Sequence, residues 1–80
     1  MNRALVNYVD FINYRRSLFG HEPWDVYDNY AELREEIDVL GDPEILSGDG
    51  EYSRAETQRR TDDWLDAMAE LDRIGQELMA

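Results

Sequence analysis

His21, the carboxylates and the aromatic side chains are the groups of this 80-residue chain able to do chemistry, and their spacing decides which chemistry. His21-Glu22 begins like the helical zinc-protease pattern, which requires a second histidine four residues after the first so that both imidazoles share one helix face. Asp25 stands at that position, so the motif fails and His21 reads as an ordinary loop residue. Asp49-Gly50-Glu51-Tyr52-Ser53 alternates carboxylates with small residues, as calcium loops do. A calcium loop opening at Asp49 needs Gly at its sixth position and Glu at its twelfth, where this chain has Arg54 and Arg60. Gly48-Asp49-Gly50 lacks the preceding strand and the further glycine of a dinucleotide fingerprint. The chain has no cysteine, which removes thiolate nucleophiles, disulfides and cysteine-ligated metals. The expectation is a protein that is not an enzyme and that holds no metal and no cofactor.

The acidic residues are more organised. Nineteen Asp and Glu stand against eight basic residues, all Arg, for a net charge of −11. Such a charge opposes binding to DNA, RNA or anionic lipid and favours a basic partner. It is unevenly placed. Residues 1–20 carry +2, residues 21–52 set eleven acids against Arg34, and residues 53–80 set seven acids against four Arg. In the middle third, Asp25, Asp28, Glu32 and Glu35 recur at spacings of three, four and three, with Glu22, Glu36 and Asp38 beside them. On a continuous helix these four span about 15 Å of axis, a charge density near that of one nucleic-acid strand with about one phosphate per 3.4 Å. Asp63, Asp66 and Glu70 form a second series at spacings of three and four, so that two acidic ridges could flank a groove. Trp24 and Tyr27 sit at the start of the first series, where an aromatic face beside a carboxylate suits capture of an Arg guanidinium.

These features lead to an expected inhibitor or nucleic-acid mimic that occupies the basic DNA- or RNA-binding surface of another protein. In size, charge and compactness the chain resembles small acidic phage proteins that disarm host nucleases, restriction enzymes or CRISPR effectors. The resemblance is one of type, carried by no shared motif, and it assigns no residue a role. Two other readings stand beside it. One is a helical adaptor or assembly subunit whose acids only keep it soluble, marked by an exposed apolar patch around Tyr8, Tyr14 and Leu18 or on the last helix. The other is the solvated surface of a protein from a salt-loving host.

The elements that must position these residues are helical. Leu5, Val9, Ile12 and Phe19 share one face of a helix over about 2–19, with Tyr8, Phe11 and Leu18 widening it, and Gly20 stops it. Val26, Tyr30, Leu33, Ile37 and Leu40 predict a second helix over about 23–40, with Pro23 in its first turn and Gly41 as a left-handed cap. Residues 41–53 are turn-rich and read as a loop, in which Ile45 and Leu46 tuck onto the core within a short helical turn. Ser53 with Glu56 forms a capping box opening a third helix over about 54–79, whose inner stripe is Ala55, Trp64, Met68, Leu71, Gly75 and Leu78. One domain spanning 1–80 follows, an all-α antiparallel three-helix bundle, with a helical hairpin completed by homodimerisation as the alternative. No segment reaches the ~20 apolar residues of a membrane span, and the start lacks the apolar core of a secretory signal, so the expected location is the cytoplasm, the host's if phage-encoded.

Overall fold

Asn2 starts the first helix: its side-chain oxygen accepts the Leu5 N–H at 2.9 Å and supplies one of the partners that a helix start lacks. The computed structural model describes residues 1–80 and contains four helices and no strand. These are α1 (Arg3–Leu18), α2 (Tyr30–Leu40), α3 (Pro43–Leu46) and α4 (Arg54–Met79). α1 ends as its sequence foretells. Gly20 adopts φ 75°, its N–H bonds the Ser17 carbonyl, and the His21 N–H bonds the Arg16 carbonyl. This is the paired closure that a left-handed glycine after a helix permits.

The second helix begins later than its apolar spacing suggests. Residues 21–29 are not helical, and α2 starts at Tyr30. The cause is local competition for backbone groups. Asn13 of α1 takes both sides of the Trp24 main chain, donating to its carbonyl at 3.0 Å and accepting its N–H at 2.8 Å. Asp25 then accepts the N–H groups of Tyr27 and Asp28, and Asn29 accepts that of Asp25. Backbone groups that a helix ladder would use are already engaged.

α3 lies inside the turn-rich segment, capped by Asp42, which accepts the Glu44 N–H at 2.8 Å. It buries Leu46 against α4 and leaves Ile45 outside. Ser53 caps α4 by accepting the Glu56 N–H at 3.1 Å. The reciprocal half of the capping box is absent, because the Glu56 carboxylate goes to Arg59 instead.

The core joins Leu5, Val9 and Ile12 of α1, Val26 of the linker, Leu33 and Ile37 of α2, and Ala67, Leu71 and Ile74 of α4. Two polar ties lock α2 to α4. Trp64 Nε1 donates to the Ile37 carbonyl, and the Tyr30 hydroxyl donates to the Leu71 carbonyl, both at 2.7 Å. Gly41 does not take the left-handed conformation of the expected cap; its φ is −85°. It is glycine because the Trp64 ring occupies the space a Cβ would need.

The middle of the expected α4 stripe faces the core, with Leu71 buried and Trp64 and Met68 packed against it, and Ala67 and Ile74 join it. Its two ends do not, since Ala55 and Leu78 are exposed. At 1.5 Å per residue the 26 residues of α4 span about 39 Å, more than the 16 residues of α1 or the 11 of α2 can cover. The ends of α4 therefore overhang. Phe19, expected on the inner face of the first helix, lies past its end and is among the most exposed apolar residues. The whole molecule is a slab of 38 × 32 × 18 Å with ten residues buried, thin enough that helix faces turned away from the single core have nothing above them. No helix is long and apolar enough to cross a membrane.

Candidate functional site

Residues 21–29 are held rigidly against α1, although they form no helix. Arg16 donates through Nε to the Glu22 carbonyl at 2.9 Å, and its guanidinium lies 3.8 Å from the centroid of the Trp24 ring. Together with the two bonds from Asn13 and the burial of Val26, this fixes the path of the chain leading into α2. Trp24 is half-buried, and one ring face is already covered by an Arg of its own chain. It therefore does not offer an open aromatic face as the sequence suggested. Tyr27 does, being half-exposed with no recorded side-chain partner.

The acidic residues separate into two groups by whether an Arg neutralises them. Glu36 meets Arg15 at 3.4 Å, and Asp38 and Asp72 both meet Arg34, at 3.7 and 2.6 Å. On α4, Arg59 joins Glu56 at 2.6 Å and Asp63 at 3.1 Å, while Arg73 joins Glu70 at 2.7 Å and Glu77 at 2.6 Å. Glu70 also takes the Asn2 N–H at 2.6 Å and faces the chain's amino terminus at 3.7 Å. Hydrogen bonds from Arg59 and Arg73, respectively, hold the Glu56 and Glu70 carboxyls below the ordinary glutamate range. The series Asp63, Asp66 and Glu70 is thus no bare acidic ridge. Only the Asp66 carboxylate stays unpaired, its carbonyl accepting from the Asn2 side chain at 3.0 Å.

The middle segment differs. The carboxylates of Glu22, Asp28, Glu32 and Glu35 make no ion pair and no hydrogen bond, and that of Asp25 only closes its own turn. Glu32 and Glu35 are on α2, with Glu36 next to them, whereas Glu22, Asp25 and Asp28 belong to the non-helical stretch before it. The expected single helical ridge through Asp25, Asp28, Glu32 and Glu35 is therefore corrected to a bent strip, half turn and half helix. Its regular helical charge spacing does not exist.

An open groove of about 810 Å³ lies elsewhere. It runs between the N-terminal half of α1, the α3 region and α4. Its lining includes Arg3, Arg59 and Arg60 together with Tyr8, Phe11 and Tyr52, and none of residues 22–35. Two acidic ridges do not flank it. Arg60, four residues after Glu56, does not pair with it but donates to the Leu46 carbonyl at 3.0 Å and covers the Tyr52 ring at 4.7 Å. Burial raises the Tyr8 hydroxyl's pKa in the groove wall, with Arg60 opposing the rise and Asp63 adding to it.

One surface feature corrects the sequence reading. Phe11, Leu18 and Phe19, expected on or beside the inner face, are exposed together with Tyr14 at the C-terminal half of α1 and just beyond it, while Tyr8 of the suggested patch is half-buried. The detectable signal is the spacing of Phe11, Tyr14 and Leu18 at three and four, a second apolar stripe on a helix whose first stripe is Leu5, Val9 and Ile12. Comparison with family models, with curated protein sequences and with solved structures finds no match.

Proposed function

We propose that this chain is a non-enzymatic acidic binding protein whose strip of unpaired carboxylates, Glu22, Asp25, Asp28, Glu32 and Glu35, engages the basic surface of a nucleic-acid-binding protein and excludes its DNA or RNA. It is an inhibitor of the anti-defence or anti-CRISPR kind. The observation that carries this reading is clustering. The chain's arginines neutralise most of the α4 acids and the far flank of α2, and of the twelve acids left without an Arg, five follow closely on one another within residues 22–35. A rigid strip of uncompensated charge steers a basic partner from a distance, and desolvated aromatic area supplies the short-range contact. Tyr27 is the aromatic residue placed for that contact. We read α1, α2 and α4 as an antiparallel three-helix bundle whose rigidity keeps the strip in shape, with α3 as a clasp across α4.

Retention of proteins from a bacterial lysate on the immobilised chain tests this, with salt and nuclease varied. A basic nucleic-acid-processing protein, released by salt and not by nuclease, is the expected capture. Two quadruple variants then locate the site. Glu22→Gln, Asp28→Asn, Glu32→Gln and Glu35→Gln together should abolish capture. The same charge change at Glu44, Asp49, Glu51 and Asp62 should leave most of it. Equal loss from both sets would show that bulk charge alone is responsible and would defeat the assignment of a site.

A second reading, a helical assembly subunit, rests on a separate observation, the exposed apolar end of α1.

A further inference from the structure

We infer that the outer face of α1 is a homodimer interface, on which Phe11, Tyr14, Leu18 and Phe19 pack against the same residues of a second copy, the two α1 helices side by side and parallel. This goes beyond the acidic-strip reading and does not depend on it.

α1 has two apolar faces. Leu5, Val9 and Ile12 are buried in the core, and Phe11, Tyr14 and Leu18 project from the opposite side. Their spacing of three and four is that of residues which interlock between paired helices. The outer side chains are well exposed, with Phe11 at 47%, Tyr14 at 63%, Leu18 at 64% and Phe19 at 79%. An aromatic side chain offers about 150–250 Å² for burial, so these four together present on the order of 500 Å², at the upper end of the largest apolar patch on a stable monomer. Covering that patch on two copies removes about 1,000 Å² from water, the lower bound for a specific interface and the size of a weak, reversible one. Within the chain only Arg15 reaches it, its guanidinium 5.0 Å from the centroid of the Phe11 ring, and Tyr14, Leu18 and Phe19 stay open.

Charge selects a second copy as the occupant. Two chains of net charge −11 repel, yet residues 1–20 carry +2, so this is the quarter of the chain through which copies can approach without bringing their acidic segments together. Charge also selects the parallel alignment. Asp10 and Arg15 flank the outer stripe on opposite sides, one residue before Phe11 and one after Tyr14. These are the flanking positions that form ion pairs between parallel helices, here two symmetric Asp10 to Arg15 pairs across the interface. Arg15 is available for this, since its contact with Glu36 at 3.4 Å is solvent-exposed on both sides and such pairs hold weakly. The resulting dimer carries its two acidic strips away from the seam.

Sedimentation equilibrium of the purified full chain, from about 1 µM to about 1 mM, should show conversion from 9.4 kDa to twice that mass. Leu18→Glu should weaken the association by about 100-fold or more, because two buried leucines are lost and two charges face each other, while the circular dichroism spectrum stays helical. Tyr14→Cys places the only thiol of the molecule on the dyad of a parallel pair. Mild oxidation should join copies in high yield, since the Cα atoms must lie within about 7 Å for that bond to form. A monomer mass at every concentration overturns the proposal, as does a dimer indifferent to Leu18→Glu. If Leu18→Glu unfolds the chain, the Tyr14→Cys result decides: efficient crosslinking supports the parallel dimer and its absence refutes it. Capture of a different protein on this face by chains that stay monomeric also refutes it.

Discussion

Replacing Gly75 by Ala reverses the effect that helix propensity alone gives. Gly75 lies inside α4, where exchanging glycine for alanine ordinarily stabilises by about 1 kcal/mol, because the unfolded chain loses freedom. Here the new methyl would lie against the Tyr30 hydroxyl oxygen and 2.9 Å from the Tyr30 ring carbon that bears it. Ordinary contact for such atoms starts at 3.4 Å, so Tyr30 has to withdraw. Its hydroxyl then gives up the 2.7 Å bond to the Leu71 carbonyl and the 3.2 Å bond from Arg34. Losing a hydrogen bond costs about 1 kcal/mol and overpacking about 1–3 kcal/mol, which together outweigh the propensity gain and leave Gly75→Ala destabilised by about 1–3 kcal/mol. In a domain of this size that lowers the melting temperature by roughly 4–24 °C. Thermal unfolding followed by far-ultraviolet circular dichroism reads the change. In a Tyr30→Phe background the hydroxyl and its bonds are gone and only the ring carbon at 2.9 Å remains in the way, so the same substitution should cost less, a coupling of about 1 kcal/mol. A higher melting temperature for Gly75→Ala in the unaltered chain would refute this account of the α2–α4 contact.

Asn13→Ala should destabilise by about 1–2 kcal/mol and increase amide exchange across residues 21–29, since it removes both bonds to the Trp24 main chain; unchanged exchange would show that the linker is held otherwise. The acid limb of stability should depend on Glu70. Its pKa is depressed below 4.5 by Arg73 and the Asn2 N–H, so its contribution is complete above 4.5 and is lost as pH falls through the depressed value. Melting curves of the Glu70→Gln variant should therefore lie below the parent's at pH 7 and merge with them in strong acid. Ser53→Ala should cost about 1 kcal/mol through the lost cap and fray the start of α4, read as a loss of helical signal that Ser53→Asp restores.

Helix existence and the identity of most core residues were legible from periodicity. Leu5, Val9, Ile12, Val26, Leu33, Ile37 and Leu71 were expected inside and are inside. The failures have a common physical origin, side chains that act on backbone groups distant in sequence. The pattern Val26, Tyr30, Leu33 reads as one helix, but Asn13 captures the Trp24 backbone from eleven residues away, which no local window contains. Gly41 carries the signature of a cap, yet its reason is the Trp64 ring arriving from α4. Pairing was legible only where it is local. Arg59 with Asp63 follows helix spacing, whereas Arg60 turns away from Glu56 to the Leu46 carbonyl. The composition of the acidic strip could be read, but its bent shape could not, because that shape follows from the long-range capture of the linker.

Whether the unpaired acids form a site or merely suit a salty host depends on what the fold needs in order to stand. A salt-dependent protein relies on cations to offset its surface repulsion and unfolds when they are withdrawn. The elements that hold this chain together are of another kind: an apolar core across three helices and the linker, and two side-chain bonds to helix carbonyls from Trp64 and Tyr30, none of which ionic strength weakens. Against them stand a few like-charge neighbours among residues 22–35, each costing a few tenths of a kcal/mol, about 1 kcal/mol altogether. Raising sodium chloride from 10 mM to 1 M should therefore raise the melting temperature by only about 4–8 °C, with the chain fully folded at the lower value. Cooperative unfolding on dilution into 10 mM salt would mean that repulsion outweighs the core. The acids would then be a surface adaptation, and the binding strip would lose its basis. A chain that tolerates low salt carries twelve carboxylates without an Arg partner that its stability does not require, and the five of them within residues 22–35 keep the proposed interaction with a basic surface as their reading.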